Sequence, residues 1–203
     1  MSRQARFARL VTDVVVRQPF LWRLLRGRLR AMFDAIAPTW ETRIGPDHVA
    51  ALELALAELG ASPRRALDLG TGTGVAAQAV AQRFPGAEVI GVDLAPAMVA
   101  EAARMLPAEL AGRVRFEVGD ASALRFADGE FELVTLANMI PFFDELARVT
   151  AGGGTIVLSF SRGAETPIYV PQERLRHELG RRGFAEFAAF SAGPATALLA
   201  RRR

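Results

Sequence analysis

Glycine recurs at alternate positions in Ala66-Leu67-Asp68-Leu69-Gly70-Thr71-Gly72-Thr73-Gly74, and Asp68 stands two residues ahead of the first of them. A short apolar run, a glycine turn and a helical pattern from Val75 create backbone that a ligand can approach closely. The helix behind the turn adds unpaired N–H groups and the positive end of its dipole. Two further aspartates close apolar runs: Asp93 follows Glu88–Val92, and Asp120 follows Val114–Val118. Asn138 stands just past a fourth run, Phe131–Leu136. Carboxylates and amides so placed suit the hydroxyls and amines of a nucleotide-like ligand at the edge of an open α/β sheet.

Other chemistries lack their residues. The 203-residue chain has no cysteine, so thiolate nucleophiles, disulfides and cysteine zinc sites are excluded. His48 and His177 are the only histidines, too few for a histidine-rich metal site, and no metal is expected. Both sit in helical patterns that suggest surface or packing roles. No catalytic residue is named. Asp144 and Glu145 fall on what reads as a solvated helix face, and Tyr169, the sole tyrosine, is a weak substrate-side candidate.

The elements that must position these groups follow from periodicity. Leu21, Leu25, Leu29, Met32 and Ile36 recur at helical spacing up to Pro38, and a second helical pattern runs from His48 to Leu59. Strands and helices then alternate: Ala66–Leu69, Val75–Phe84, Glu88–Val92, Pro96–Leu106, Val114–Val118, Phe131–Leu136 and Phe142–Val149. Gly152-Gly153-Gly154 is expected to turn the chain into a strand at Thr155–Phe160, followed by a helix over Pro171–Arg182. Two last strands, Ala185–Phe190 and Thr196–Ala200, are joined too closely to cross over and should pair antiparallel. The expected fold is α/β: a Rossmann-like doubly wound seven-stranded sheet, mostly parallel with an antiparallel C-terminal strand. Residues 1–60 are expected to form an N-terminal helical lid and residues 61–203 the core of a single structural domain.

The glycine turn admits two ligands. Gly72-Thr73-Gly74-Val75-Ala76-Ala77 fits the G-x-G-x-x-A turn of an NAD(P)-binding Rossmann protein, with Asp93 on a ribose. Asp68 opposes that reading, because a carboxylate at the loop suits an ammonium or sulfonium better than a pyrophosphate. Four blocks in order, ALDLGTGTG (66–74), VIGVDLAPAMVAEAAR (89–104), VRFEVGDASALRF (114–126) and ELARVTAGGGTIVLSF (145–160), resemble the class I S-adenosylmethionine-dependent methyltransferases. The likeness extends to small-molecule methyltransferases of type 11. The resemblance implies S-adenosyl-L-methionine as cofactor and S-adenosyl-L-homocysteine as product. It implies that Gly70, Gly72 and Gly74 lie against the methionine part and that Asp68 faces its amino group. It further implies that Asp93 takes both ribose hydroxyls and that Leu94 and Met98 pack on the adenine. Asp120 would accept from the adenine amino group, the Ala121 N–H would meet a ring nitrogen, and Asn138 would lie where cofactor and acceptor meet.

Met32-Phe33-Asp34-Ala35-Ile36-Ala37-Pro38-Thr39-Trp40-Glu41 resembles the F-D-x-I-A-x-x-Y-D stretch of small-molecule methyltransferases, including quinone C-methyltransferases. Trp40 keeps the aromatic but lacks the tyrosine hydroxyl, and it is expected at the lid. A small-molecule acceptor follows, against the alternatives of a dinucleotide-binding protein and a non-catalytic methyltransferase-like binding protein. Asn138-Met139-Ile140-Pro141-Phe142 does not match the spacing of the N-P-P-F/Y element of DNA methyltransferases, so no nucleic acid is expected. Residues 1–30 carry eight arginines against one acid, a charge of +7, while the remainder carries −4. That arm reads first as a solvated lid helix. A weak membrane-surface contact through Leu21, Trp22, Leu25 and Leu29 is the second reading, and salt-sensitive binding to a phosphate backbone is the third. Without a signal peptide or a 20-residue apolar span, the expected location is cytoplasmic. The oligomeric state is left open.

Overall fold

The computed structural model describes residues 2–45 and 47–203. Four helices come first: α1 (Arg3–Arg17), α2 (Trp22–Ile36), α3 (Trp40–Ile44) and α4 (Ala50–Ala57). Strands and helices then alternate as β1 (Arg65–Leu69), α5 (Val75–Arg83), β2 (Glu88–Asp93), α6 (Pro96–Met105) and β3 (Val114–Val118). They continue with β4 (Phe131–Ala137), α7 (Phe143–Val149), β5 (Thr150–Phe160), α8 (Gln172–Gly180), β6 (Phe184–Ala192) and β7 (Ala195–Arg202). The described strands form one seven-stranded sheet in the order β3-β2-β1-β4-β5-β7-β6. β1 to β5 run parallel, and β7 lies antiparallel to both of its neighbours. The doubly wound, mostly parallel sheet expected from the sequence is what the chain forms.

Alternating side chains bury both faces of the sheet, as helices on both sides require. Leu67, Val134, Ile156 and Leu198 face one core, shared with α1, α2, α7 and α8. Ala66, Leu133, Val157 and Leu199 face the other, filled by α4 and α5. α4 is apolar nearly all round, and its Leu52 and Ala55 are completely buried. A boundary at residue 60 would group α4 with a lid, yet the structure packs it on the sheet. α1 also belongs to a core, through Ala8, Val11 and Val15.

One strand differs from its expected start. β5 begins at Thr150 and runs through the glycine triplet rather than after it. Its register with β4 jumps from Phe131↔Thr150 to Leu133↔Thr155, so the triplet forms a bulge. Gly153 adopts φ +75°, and a Cβ at Gly154 would lie 2.9 Å from the Ala151 carbonyl oxygen. Side chains are excluded there for two separate reasons. The C-terminal hairpin is longer than its apolar core suggests, and only Gly193 and Pro194 separate its strands.

Candidate active site

The C-terminal ends of β1, β2 and β4 open onto one cavity. The loop after β1 is tied to β2, with the N–H groups of Gly70 and Thr71 donating to the Val92 carbonyl at 2.8 and 3.1 Å. Gly70, Gly72 and Gly74 all take positive φ, as the sequence spacing requires. A Cβ at Gly70 would run into the Met139 side chain, and one at Gly72 would lie 3.4 Å from the Trp40 indole nitrogen. Gly70 and Gly72 line the cavity, whereas Gly74 sits behind it as the left-handed residue that starts α5.

Asp93 is the carboxylate the cavity exposes. Its Oδ2 accepts from the Gly72 N–H at 2.9 Å and its Oδ1 from the Ala95 N–H at 2.8 Å. Each oxygen keeps acceptor capacity for a ligand. Burial pushes its pKa up, and Asp34 adds to that, against the lowering effect of the Ala95 and Gly72 N–H groups. Leu94, Met98 and Ala121 complete an apolar wall beside it.

Asp68 lies beneath the loop rather than in the cavity and is almost completely buried. Its Oδ1 accepts from the Thr135 hydroxyl at 2.8 Å, while its Oδ2 has no partner in hydrogen-bond geometry. Burial raises its pKa to about 6, opposed by the neighbouring Thr71 and Thr135 hydroxyls and reinforced by the Asp93 charge.

Asp120 also lies outside this cavity, and both of its oxygens are engaged. Oδ1 accepts from the Trp22 indole N–H at 2.8 Å and from the Ser122 N–H and hydroxyl at 2.9 and 2.7 Å. Oδ2 pairs with Arg26 at 2.6 Å. Burial works to raise its pKa, but Ser122, Arg26 and Trp22 together hold it below the ordinary carboxylate value. The loop carrying it is shaped from below by α7. Glu145 accepts from the Leu124 N–H at 2.7 Å, and Arg148 binds the Leu124 and Phe126 carbonyls. Glu145 is therefore a partly buried tie rather than a solvated side chain.

The helical segment 22–44 roofs the cavity with Trp22, Leu29, Phe33, Trp40 and Ile44. Two further side chains fasten it to the core. Asp34 accepts from the Ala97 N–H at 3.0 Å, and the Thr73 hydroxyl donates to Glu41. Asn138 lines the cavity at the end of β4 with φ +53°, and its Oδ1 accepts from the Ser161 N–H at 2.8 Å. Tyr169 is not at the cavity; its ring stands edge-on to Phe160 with Arg9 against it.

His48, expected from the sequence in a surface or packing role, stands at the cavity. It occupies the turn before α4, 8% exposed on the cavity wall, with Nδ1 2.8 Å from the Gly45 carbonyl oxygen. A carbonyl only accepts, so Nδ1 carries the hydrogen, and in that neutral tautomer the lone pair sits on Nε2. Met139, Ile140 and Phe142 also line the cavity, having no sequence signal beyond their nearness to Asn138.

Residues 66–154 match the family model of a methyltransferase domain. The chain is 43% identical over 143 residues to a demethylmenaquinone methyltransferase of Thermus thermophilus, covering 63% of each sequence. It spans less than two thirds of the length of the curated relatives it matches, with 58% and 50% in two others. Among solved structures, a Haemonchus contortus phosphoethanolamine N-methyltransferase bound to S-adenosyl-L-methionine superposes with TM-score 0.62 and 17% identity. That match covers 77% of this chain and 52% of the other. The cyclase SpnF, named for a [4+2] reaction, superposes with TM-score 0.66 and 18% identity over 86% and 94%. Both likenesses show the fold and no particular reaction. Motif order, sheet order and sequence relatives agree, and the chain is similar to S-adenosylmethionine-dependent methyltransferases, sharing their fold.

Proposed function

We propose that the protein transfers a methyl group from S-adenosyl-L-methionine to a small-molecule acceptor. The observation that carries this reading is Asp93, a carboxylate clamped by two backbone N–H groups and facing a cavity with an apolar wall. The residues present fit the cofactor. Asp93 suits a ribose diol, since a carboxylate accepts from two hydroxyls at once. Leu94, Met98 and Ala121 suit a purine face, and the unpartnered Asp68 oxygen places negative charge under the loop for a cationic amino acid end. When bound, the cofactor supplies a methyl group on a positively charged sulfur, which leaves as a neutral thioether.

The chain's own work is to hold and orient. Asp93 and the loop from Gly70 to Thr73 fix one end, while Trp40 and Phe33 cover the site and exclude water. Positioning of this kind is worth effective molarities of roughly 10⁵–10⁸ M. His48 offers an acceptor nitrogen at the wall for an acceptor that must lose a proton. Asp120 lies outside the cavity lining and is bonded to Trp22, Ser122 and Arg26, and its part in this reading is to hold the roof.

Calorimetry with S-adenosyl-L-homocysteine tests the reading. Binding is expected in the wild type and should weaken roughly 10- to 100-fold in Asp93→Ala, the loss of charge-assisted hydrogen bonds of about 1.5–3 kcal/mol. Binding of NADH in place of the thioether would return the site to the dinucleotide reading. Binding of neither would favour a non-catalytic role.

A further inference from the structure

A second cavity adjoins the first and shares Phe33, Trp40, Ile44, Asn138 and Ile168 with it. It lies among α1, α2, α3 and the segment after β5, and neither Asp93 nor Met98 reaches it. Ala5, Ala8, Met32, Ile36 and Pro167 make its other walls largely apolar. Among the described residues, the charged side chains that line it are two arginines, Arg43 and Arg162. No carboxylate lines it, and neither guanidinium takes part in the ion pairs formed by the described residues. Arg43 spends only its Nε–H, on the Thr39 hydroxyl at 2.9 Å. Asn138 stands where the two cavities meet. Its Oδ1 is occupied by the Ser161 N–H, which leaves the amide NH₂ as its remaining donor group.

We infer that this second cavity holds the methyl acceptor and that the acceptor is an amphipathic anion. Its apolar body lies against Ile36, Phe33 and Trp40, and its carboxylate or phosphate is held by Arg43 and Arg162. The inference rests on the methyl-transfer reading of the adjoining cavity. Its physical basis is charge complementarity. Two unopposed guanidiniums beside an apolar wall repel a cationic head and give a neutral one little, whereas an anion gains charge-assisted, bidentate hydrogen bonds. The asparagine at the junction then offers a donor to an oxygen near the reacting atom, on the side where the first cavity begins.

The test is calorimetry with decanoate, decyl phosphate and decanol below their aggregation concentrations, on the full chain. Both anions are expected to bind at least tenfold more tightly than decanol. The double variant Arg43→Gln/Arg162→Gln should erase that margin while binding S-adenosyl-L-homocysteine as the wild type does. Either order of the two anions supports the inference and identifies the head group. Ala5→Trp, which fills the cavity from α1, should weaken all three probes. Equal binding of decanol overturns the inference, as does an anion preference that survives the double variant or probe binding unaffected by Ala5→Trp. Failure of S-adenosyl-L-homocysteine to bind the wild type would instead sink the methyl-transfer reading and leave the probe result to stand on its own.

Discussion

Asp68, Asp93 and Asp120 carry the same sequence signal, an aspartate in or just after an apolar run, and the structure gives them three different environments. Asp93 faces the cavity, Asp68 is sealed beneath it, and Asp120 is bonded to the roof. The type and position of each were legible in the sequence. What surrounds each was not, because the Trp22–Asp120 bond joins residues 98 apart. Asp68 makes a measurable difference. Its folded pKa of about 6 lies above the ordinary 3.8, so the native state binds the extra proton between those values. The stability this group contributes is complete below about pH 4 and is lost as pH rises through about 6. Urea unfolding of Asp68→Asn and wild type should therefore agree near pH 4. Their difference should grow in favour of the variant by up to about 3 kcal/mol at pH 7, since two pKa units are worth about that much. A difference that does not change with pH would show that folding does not shift the Asp68 pKa.

At the scale of elements, the best-anticipated pieces were those with strong local punctuation. Pro96 opens α6, Pro85-Gly86 follows α5, and the glycine loop joins β1 to α5. The weakest were pieces whose role depends on distant partners. The arginine-studded α2 reads as amphipathic from sequence, which favours a lid and leaves a membrane surface as the second reading. The structure turns Trp22 and Leu29 onto the cavity. The roof is fastened by side chains at Asp120, Ala97 and Thr73, so weakening one fastener should loosen it. Trp22→Phe combined with Arg26→Gln removes both roof ligands of Asp120. Stopped-flow binding of S-adenosyl-L-homocysteine is expected to show faster association, and limited proteolysis to show earlier cleavage near α2. Unchanged rates would mean that entry does not pass beneath this helix. α4 gives a different expectation. Its Leu52 is completely enclosed between α5 and the sheet, and Leu52→Ala should cost about 2–5 kcal/mol by thermal or chemical unfolding.

For the whole molecule, the repeated β–α pattern was enough to give the sheet and its sense, since crossovers of helical length force neighbouring strands parallel. The position of the last strand follows from the same chemistry only in part. A two-residue link makes β6 and β7 a hairpin, but it does not say which of them meets β5. Burial decides it. Leu198, Leu199 and Ala200 bury both faces of β7, while in β6 only Phe184 is buried and the other residues are half-buried or exposed, as an outer strand should be. The charge asymmetry was legible too, though not its use. Within the N-terminal arm, Arg9 binds the Ala164 and Thr166 carbonyls and Arg26 pairs with Asp120.

The strand order has a consequence for how the molecule is made. β6 is synthesised before β7, yet among the described residues β7 is its only neighbour in the sheet and separates it from β5. Until β7 emerges, β5 therefore presents an open edge over Thr155–Phe160, and β6 has nothing to join. The hairpin must close first about Gly193-Pro194 and then dock as a unit, which makes the β5–β7 seam the last part of the sheet to set. Pulse-labelled hydrogen exchange during refolding should find amides at the β1–β4 seam protected before those of Ile156–Ser159 that bond β7. The reverse order would mean that the hairpin nucleates the sheet. If the seam does set last, the vulnerable moment of this protein's life is a brief one on or near the ribosome, when the exposed strand can pair with another copy of itself.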